Sequence, residues 1–334
     1  MNTPTISAQI LRHIANCLRL TGHQPEGVLH KLDLRPRDLD DPKGAIPLAQ
    51  FFAFFDLAAE LSGNRNFGLY AGRLASSDSL GPLGLLFLSA PTFRAAFTSF
   101  NSYLATIQDA ARNRFAIEDG LATFEYGITD QTLLNRAQDA EFSLSVMHNF
   151  CLNYVGSDFE LTEVRLEHGC LSDPKIYRDF FKCEVYFDQD INSFSFEIRF
   201  LERTGGAIDP ALFPIIEEHV RRRADDNLAD ALPSEQARKI IDSSDFTQTP
   251  TLEVAASMIG VSTATLNRRL RAEGLSWRDM VQERRMNAAA RLLKQSRRDV
   301  GDIALTVGYS ESASFVRSFK RQFGMTPKHY RESR

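Results

Sequence analysis

The stretch "GYSESASFVRSFKRQFGMTPKHYR", Gly308 to Arg331, sorts its residue types onto two faces of a helix. Phe315, Phe319 and Phe323 recur at four-residue steps, which stack side chains along one side. Between them stand Ser312, Ala313, Val316, Arg317, Lys320 and Arg321, small at the front and cationic towards the end. One face is made for burial; the other is graded from thin to charged.

Upstream of this stretch lies the rest of a unit, and upstream of that a copy. Val300, Ile303, Ala304 and Val307 precede Gly308 at i, i+3, i+4 and i+7, and 48 residues earlier Leu252, Ala255, Ala256 and Ile259 take the same steps before Gly260. Leu266 and Leu270 stand where Phe315 and Phe319 stand, at an offset of 49, because the second turn is one residue longer. A short helix, a glycine turn and a second helix anchored by two apolar residues make a helix-turn-helix. Alanine in the first helix lets the second cross closely, and the outer face of the second is then free to enter a major groove of DNA.

That outer face is Thr263, Ala264, Asn267, Arg268 and Arg271 in the first copy. In the second it is Ser312, Ala313, Val316, Arg317 and Lys320, with Arg321 beside them. Small residues let a helix sit deep and touch thymine methyls. Arginine can give a guanine two hydrogen bonds, and the later cations reach phosphates. Between the copies, Ser276 to Ser296 reads as one long helix with an apolar stripe through Trp277, Met280, Val281, Met286, Ala289, Leu292 and Leu293. A rigid connector of this kind holds two readers on one face of the duplex, roughly 34 Å apart.

Charge agrees with this reading. The chain has 39 Lys+Arg and 43 Asp+Glu, net −4, but residues 235–334 hold 18 and 11, net +7, leaving 21 and 32, net −11, for residues 1–234. A basic tail behind an acidic body points to a polyanion partner for the tail alone.

These residues resemble the DNA-binding domain of the AraC/XylS family of bacterial transcription regulators. The carrying segments are "LEVAASMIGVSTATLNRRLRAEG" and "DVGDIALTVGYSESASFVRSFKRQFGMTPKHYR". The resemblance implies base-reading positions at Ala264, Asn267 and Arg268 and at Ser312, Ala313, Val316 and Arg317. It also implies activation through RNA polymerase at double-stranded promoter DNA.

The amino-terminal part reads differently. Up to about residue 110 it is helical: "LAQFFAFFDLAAELSG" (48–63) has the apolar density of a buried helix, and Phe93, Phe97, Phe100, Leu104 and Ile107 follow a Thr92 cap at helical steps. Then two β-like runs flank Asp119-Gly120, a hairpin signal. A helix near 134–154 follows, then strands in "LTEVRLEH" and "CEVYFDQDINSFSFEI" around a short helix "DPKIYRDFF". Asp209 to Leu232 reads as an amphipathic helix, and Pro233 breaks the chain beyond it. The expected architecture is an α+β domain over residues 1–232, helices on a small mixed sheet. An all-α domain over 235–334 follows, with two helix-turn-helix motifs at about 252–272 and 300–322.

Residues 1–232 resemble, more loosely, the sensory domain of a subgroup that includes ornithine-utilisation regulators, through "LGPLGLLFLSAPTFRAAFTSFNSYL" and "HGCLSDPKIYRDFFKCEVYFDQDINSFSFEIRFLERT". This differs from the β-rich cupin-like arm of the arabinose regulator. The resemblance implies a small-molecule effector and self-association as a homodimer. Residues 1–234 hold 21 of the 25 phenylalanines, enough to line an apolar cavity. His168, Tyr177 and Tyr186 are polar groups among apolar neighbours and are the candidate effector contacts. The other reading makes this domain a protein-interaction or oligomerisation module with no ligand.

Other classes find no support. There is no GxxxxGK phosphate loop, HExxH zinc pair or GxSxG elbow, so neither an enzyme nor a cofactor is expected. Cys17, Cys151, Cys170 and Cys183 form no CxxC, which argues for reduced thiols rather than a disulfide frame or metal site. The amino terminus lacks the apolar core of a signal peptide, and no run of about 18 apolar residues could span a membrane. A soluble, cytoplasmic chain is the expectation.

Overall fold

Polar breaks between apolar runs set the helices of the amino-terminal part in the computed structural model, which describes residues 4–41, 43–129, 133, 135–229, 233–244, 246, 249–295 and 298–332. Two three-residue strands, β1 (Thr5–Ser7) and β2 (Ala45–Pro47), pair antiparallel with Ile6 opposite Ile46. Strands this short carry too little alternation to read from sequence, and neither was expected. The helices here are α1 (Ala8–Leu20), α2 (Glu26–Lys31), α3 (Leu48–Ser62), α4 (Phe67–Arg73), α5 (Pro82–Ser89) and α6 (Phe93–Tyr103). Helix α3 ends at Gly63, whose φ of 66° a side chain would resist. Helix α6 begins where the Ala95 N–H donates to Thr92 Oγ1 at 3.1 Å, a side-chain cap.

Strands β3 (Ala111–Glu118) and β4 (Leu121–Ile128) are joined through Asp119 and Gly120. Their φ values of 50° and 81° are those of a tight hairpin turn whose twist suits the strands. After α7 (Ala137–Val155) come β5 (Glu163–Arg165), α8 (Pro174–Phe181), β6 (Glu184–Tyr186) and β7 (Asn192–Glu197). The sheet order is β3-β4-β7-β5-β6, with β5 and β6 parallel and the other pairs antiparallel, so the sheet is mixed. Strand β4 buries alternate residues, Ala122, Phe124, Tyr126 and Ile128. Against that face pack the phenylalanines of α5 and α6, with Phe97 stacked on Phe115 at 4.6 Å and edge-on to Phe87 at 5.2 Å. Helix α4 lies almost on the backbone of α7: a Cβ on Gly68 would stand 2.2 Å from the Gln138 carbonyl oxygen. Helix α9 (Phe213–Ala229) follows; residues 230–232 of the expected helix lie outside the described residues.

The chain divides into two units, Met1–Asp226 and Asn227–Arg334. The second unit is entirely helical in its described residues: α10 (Pro233–Ser243), α11 (Leu252–Ile259), α12 (Thr263–Ala272), α13 (Trp277–Gln295), α14 (Val300–Thr306), α15 (Ser312–Phe323) and α16 (Pro327–Glu332). It has two apolar cores. Ala255, Ala256, Leu266, Leu270 and Met280 belong to the first; Met286, Leu293, Ile303, Ala304, Phe315 and Phe319 belong to the second. Helix α13 runs from one to the other. Among the described residues no helix is long and apolar enough to cross a membrane, and no group of three His, Cys, Asp or Glu side chains could hold a metal. All four cysteines are free.

Candidate nucleic-acid interface

Both turns of the second unit close by one hydrogen-bond pattern. Gly260 and Gly308 take left-handed φ values of 76° and 82°. The next residue then donates its N–H back five positions, Val261 to Ala256 and Tyr309 to Ala304, both at 2.9 Å. This bond seals a helix end and turns the chain sharply. Buried Ala255 and Ala256 on α11, and Ala304 on α14, leave room for the following helix to cross. Leu266 and Leu270 pin α12, and Phe315 and Phe319 pin α15, each fully buried. Ser262 caps α12 by accepting the Thr265 N–H at 3.1 Å, whereas Glu311 before α15 offers no side-chain cap.

Pinning the inner faces decides what lies outside. Ala264, Arg268 and Arg271 on α12 are exposed, as are Ser312, Ala313, Arg317, Lys320 and Arg321 on α15. Thr263, Asn267 and Val316 are half-buried, and Val316 packs on the second core. Arg268, Arg271, Arg317, Lys320 and Arg321 make no ion pair with any described residue. Five cations on two parallel designs, none in an ion pair with a described residue, form a surface that can pair with phosphates and base edges. Not every arginine is of this kind. Arg284 and Arg285 on α13 turn inward, to Ser244 and Phe246. No local spacing reveals this, because their partners lie about 40 residues away.

In the first unit the three candidate effector residues do not converge. Tyr177 is fully buried and donates its hydroxyl to Glu141 Oε1 at 2.5 Å. His168 is half-buried, with Nδ1 2.8 Å from the Gly169 carbonyl oxygen, and burial lowers its pKa. Tyr186 is exposed, with the Arg165 guanidinium over its ring at 5.9 Å. His168 and Tyr177 share Phe187 as a neighbour; Tyr186 stands apart from that contact.

An internal cavity lies elsewhere, among Ile10, Phe100, Phe124, Tyr126, Asp139 and Met147, with a volume of about 30 Å³. That is room for about two waters. Its polar end is a relay in which Gln108 Nε2 donates to the Tyr126 hydroxyl at 2.8 Å and that hydroxyl donates to Asp139 Oδ2 at 2.9 Å. Burial pushes the Asp139 carboxyl up to about 7. Glu141, two residues on, is pushed by burial to about 8 and also takes a hydrogen bond from Asn66 Nδ2 at 3.2 Å. These buried acids escaped the sequence reading; "QDAEF" inside an otherwise apolar helix was the available signal.

Two helix-turn-helix motifs strung on one connecting helix, with cationic outer faces, define a DNA-binding transcription regulator. A helix-turn-helix domain model matches residues 255–333, and the model described as the arabinose-binding domain of the AraC transcription regulator matches residues 22–204, more than half of the chain. The chain belongs to the AraC family of transcription regulators. It is 26% identical over 332 residues to the HTH-type transcriptional regulator VirS of Mycobacterium tuberculosis, covering 98% of this chain and 96% of that one. It is 24% identical over 304 residues to the ornithine utilization regulator of Pseudomonas aeruginosa, covering 90% and 88%. The HTH-type transcriptional activator CsvR of Escherichia coli is 30% identical over 97 residues, 29% of this chain and 36% of that one. Domains and relatives alike are those of regulators, not of enzymes.

Proposed function

We propose that this protein is a cytoplasmic, ligand-responsive activator that reads promoter DNA through α12 and α15. Residues 235–334 form the DNA-binding domain, and residues 1–232 sense an effector and self-associate as a homodimer. The observation that carries the DNA reading is the pair of matching turns presenting exposed cations on the outer faces of α12 and α15. Thr263, Ala264, Asn267 and Arg268, with Ser312, Ala313, Val316 and Arg317, face the bases. Arg271, Lys320 and Arg321 hold the backbone. Activation through RNA polymerase is supported by the likeness over 97 residues to CsvR, a transcriptional activator. The effector acts by preferring one arrangement of the protein, which shifts the population towards it. His168, Tyr177 and Tyr186 are the first positions to probe for it.

A second reading gains from the failure of His168, Tyr177 and Tyr186 to converge: residues 1–232 serve as a protein-interaction or oligomerisation module without a ligand. Fluorescence anisotropy of the full chain on labelled DNA from upstream of its own and neighbouring genes decides between them. Salt is varied and an amino-acid and amine library is added. Tight binding to one fragment, modulated by a compound, supports the sensor. Selective binding that no compound alters supports the interaction module. Uniform, salt-sensitive binding to every fragment overturns the sequence-specific reading.

A further inference from the structure

A single helix passing between two small cores is a weak guarantee of geometry, since each core could tilt about it. Met280 lies in the first core and Met286 in the second, so the crossing falls at about residues 281–285 of α13. At that crossing stand Arg284 and Arg285. The Arg284 guanidinium lies 4.2 Å from the Phe246 ring centroid, and its Nη2 donates to the Ser244 carbonyl oxygen at 2.5 Å. Arg285 Nη2 donates to the Phe246 carbonyl oxygen at 3.0 Å, with its guanidinium 5.8 Å from the Tyr309 ring centroid. Tyr309 in turn donates its hydroxyl to Gln282 Oε1 at 2.7 Å.

Phe246 belongs to the segment leading into the first motif, yet its side chain packs on the second core. Its carbonyl oxygen is pressed against the turn of the second motif, so that a Cβ on Gly308 would stand 2.4 Å from it. A planar cation stacked on an aromatic face, and an arginine bridging to a carbonyl, resist both sliding and twisting. The two motifs are thus tied at a second point besides α13.

We propose that Phe246, Arg284, Arg285 and Gly308 form a clamp that fixes the spacing and rotational phase of α12 and α15, and so determines which distance between two DNA boxes the protein accepts. These are positioning residues, and none contacts DNA. The proposal rests on the reading that both helices enter DNA. One base pair added between the boxes turns the second by about 35° relative to the first. A clamped pair should lose most of its affinity on such a change, and an unclamped pair should not.

The test is selection of binding sites from a random-sequence DNA pool by the full chain, wild type and F246A, followed by affinity measurements on the selected site with one base pair inserted or deleted between boxes. The wild type should select two boxes at one spacing and lose at least tenfold on insertion. F246A should select the same two boxes at two or more adjacent spacings and lose less than threefold. A single, unchanged spacing and an unchanged insertion penalty in F246A overturn the clamp. If F246A fails to melt cooperatively, R284K, which keeps the charge and loses the planar stacked group, decides by the same comparison. A wild-type pool with only one recurrent box would overturn the two-reader reading on which the clamp rests.

Discussion

Arg317 and Lys320 lie one helical turn apart on α15, both exposed, yet the physics assigns them different work. On the proposed reading Arg317, behind the thin front of the helix, reaches a base edge with its planar fork, and Lys320, further along, reaches a phosphate. Arg317→Ala is expected to cost about 1–3 kcal/mol and to relax base choice at one position. Lys320→Ala should weaken all sequences alike and reduce the salt slope by about 1. Titration of the selected site and its single-base variants at several salt concentrations checks both. Buried Glu141 makes a prediction of another kind. Its folded pKa of about 8 lies above an ordinary carboxyl, so the stability it allows is complete below about pH 4.5 and is lost as pH rises towards 8. This group lowers the melting temperature between pH 5 and 8, against the opposite slope of buried His148, so Glu141→Gln should gain stability relative to the wild type as pH rises towards 8. Melts across this pH range read the difference directly.

At the scale of elements, the two turn glycines separate backbone strain from contact. Around Gly260 nothing lies within 4 Å of an added Cβ, so Gly260→Ala pays only for its positive φ, about 1 kcal/mol. Gly308→Ala adds a clash with a backbone carbonyl that cannot swing aside, and should destabilise the unit by a further 1 kcal/mol or more, of the order of other overpacking changes. Urea unfolding of the two variants gives the comparison. The same contrast explains what could be read from the sequence. The repeat, the Asp119-Gly120 hairpin, the Thr92 cap and the outer faces of α12 and α15 all depend on residues within a few positions of each other, and local periodicity carries them. The close approach of α4 to α7 at Gly68, the inward turn of Arg284 and Arg285, and the burial of Tyr177 against Glu141 depend on partners tens of residues away. No spacing rule reaches that far. Strands of three residues, β1 and β2, fail for the opposite reason, since they are too short to show a period.

Across the whole molecule, charge and fold divide together: the acidic first unit carries the mixed sheet and the aromatic core, and the basic second unit carries the helical motifs. A chain limited to residues 235–334 should select the same DNA boxes as the full protein while losing any response to an effector, which repeating the site selection and the compound screen on the fragment would establish. Within that unit, Leu266→Ala and Phe319→Ala remove side chains from different cores, and each should cost about 2–5 kcal/mol. Because the two sites share no packing partner, the double variant should lose close to the sum. That independence has a consequence for the protein's history. A change on the outer face of α15 leaves the packing beneath α12 untouched. The half of a promoter that one helix recognises can therefore drift and be matched anew while the other half stays fixed, so a lineage can acquire a new regulatory target in two separate steps, each leaving a folded and partly competent intermediate.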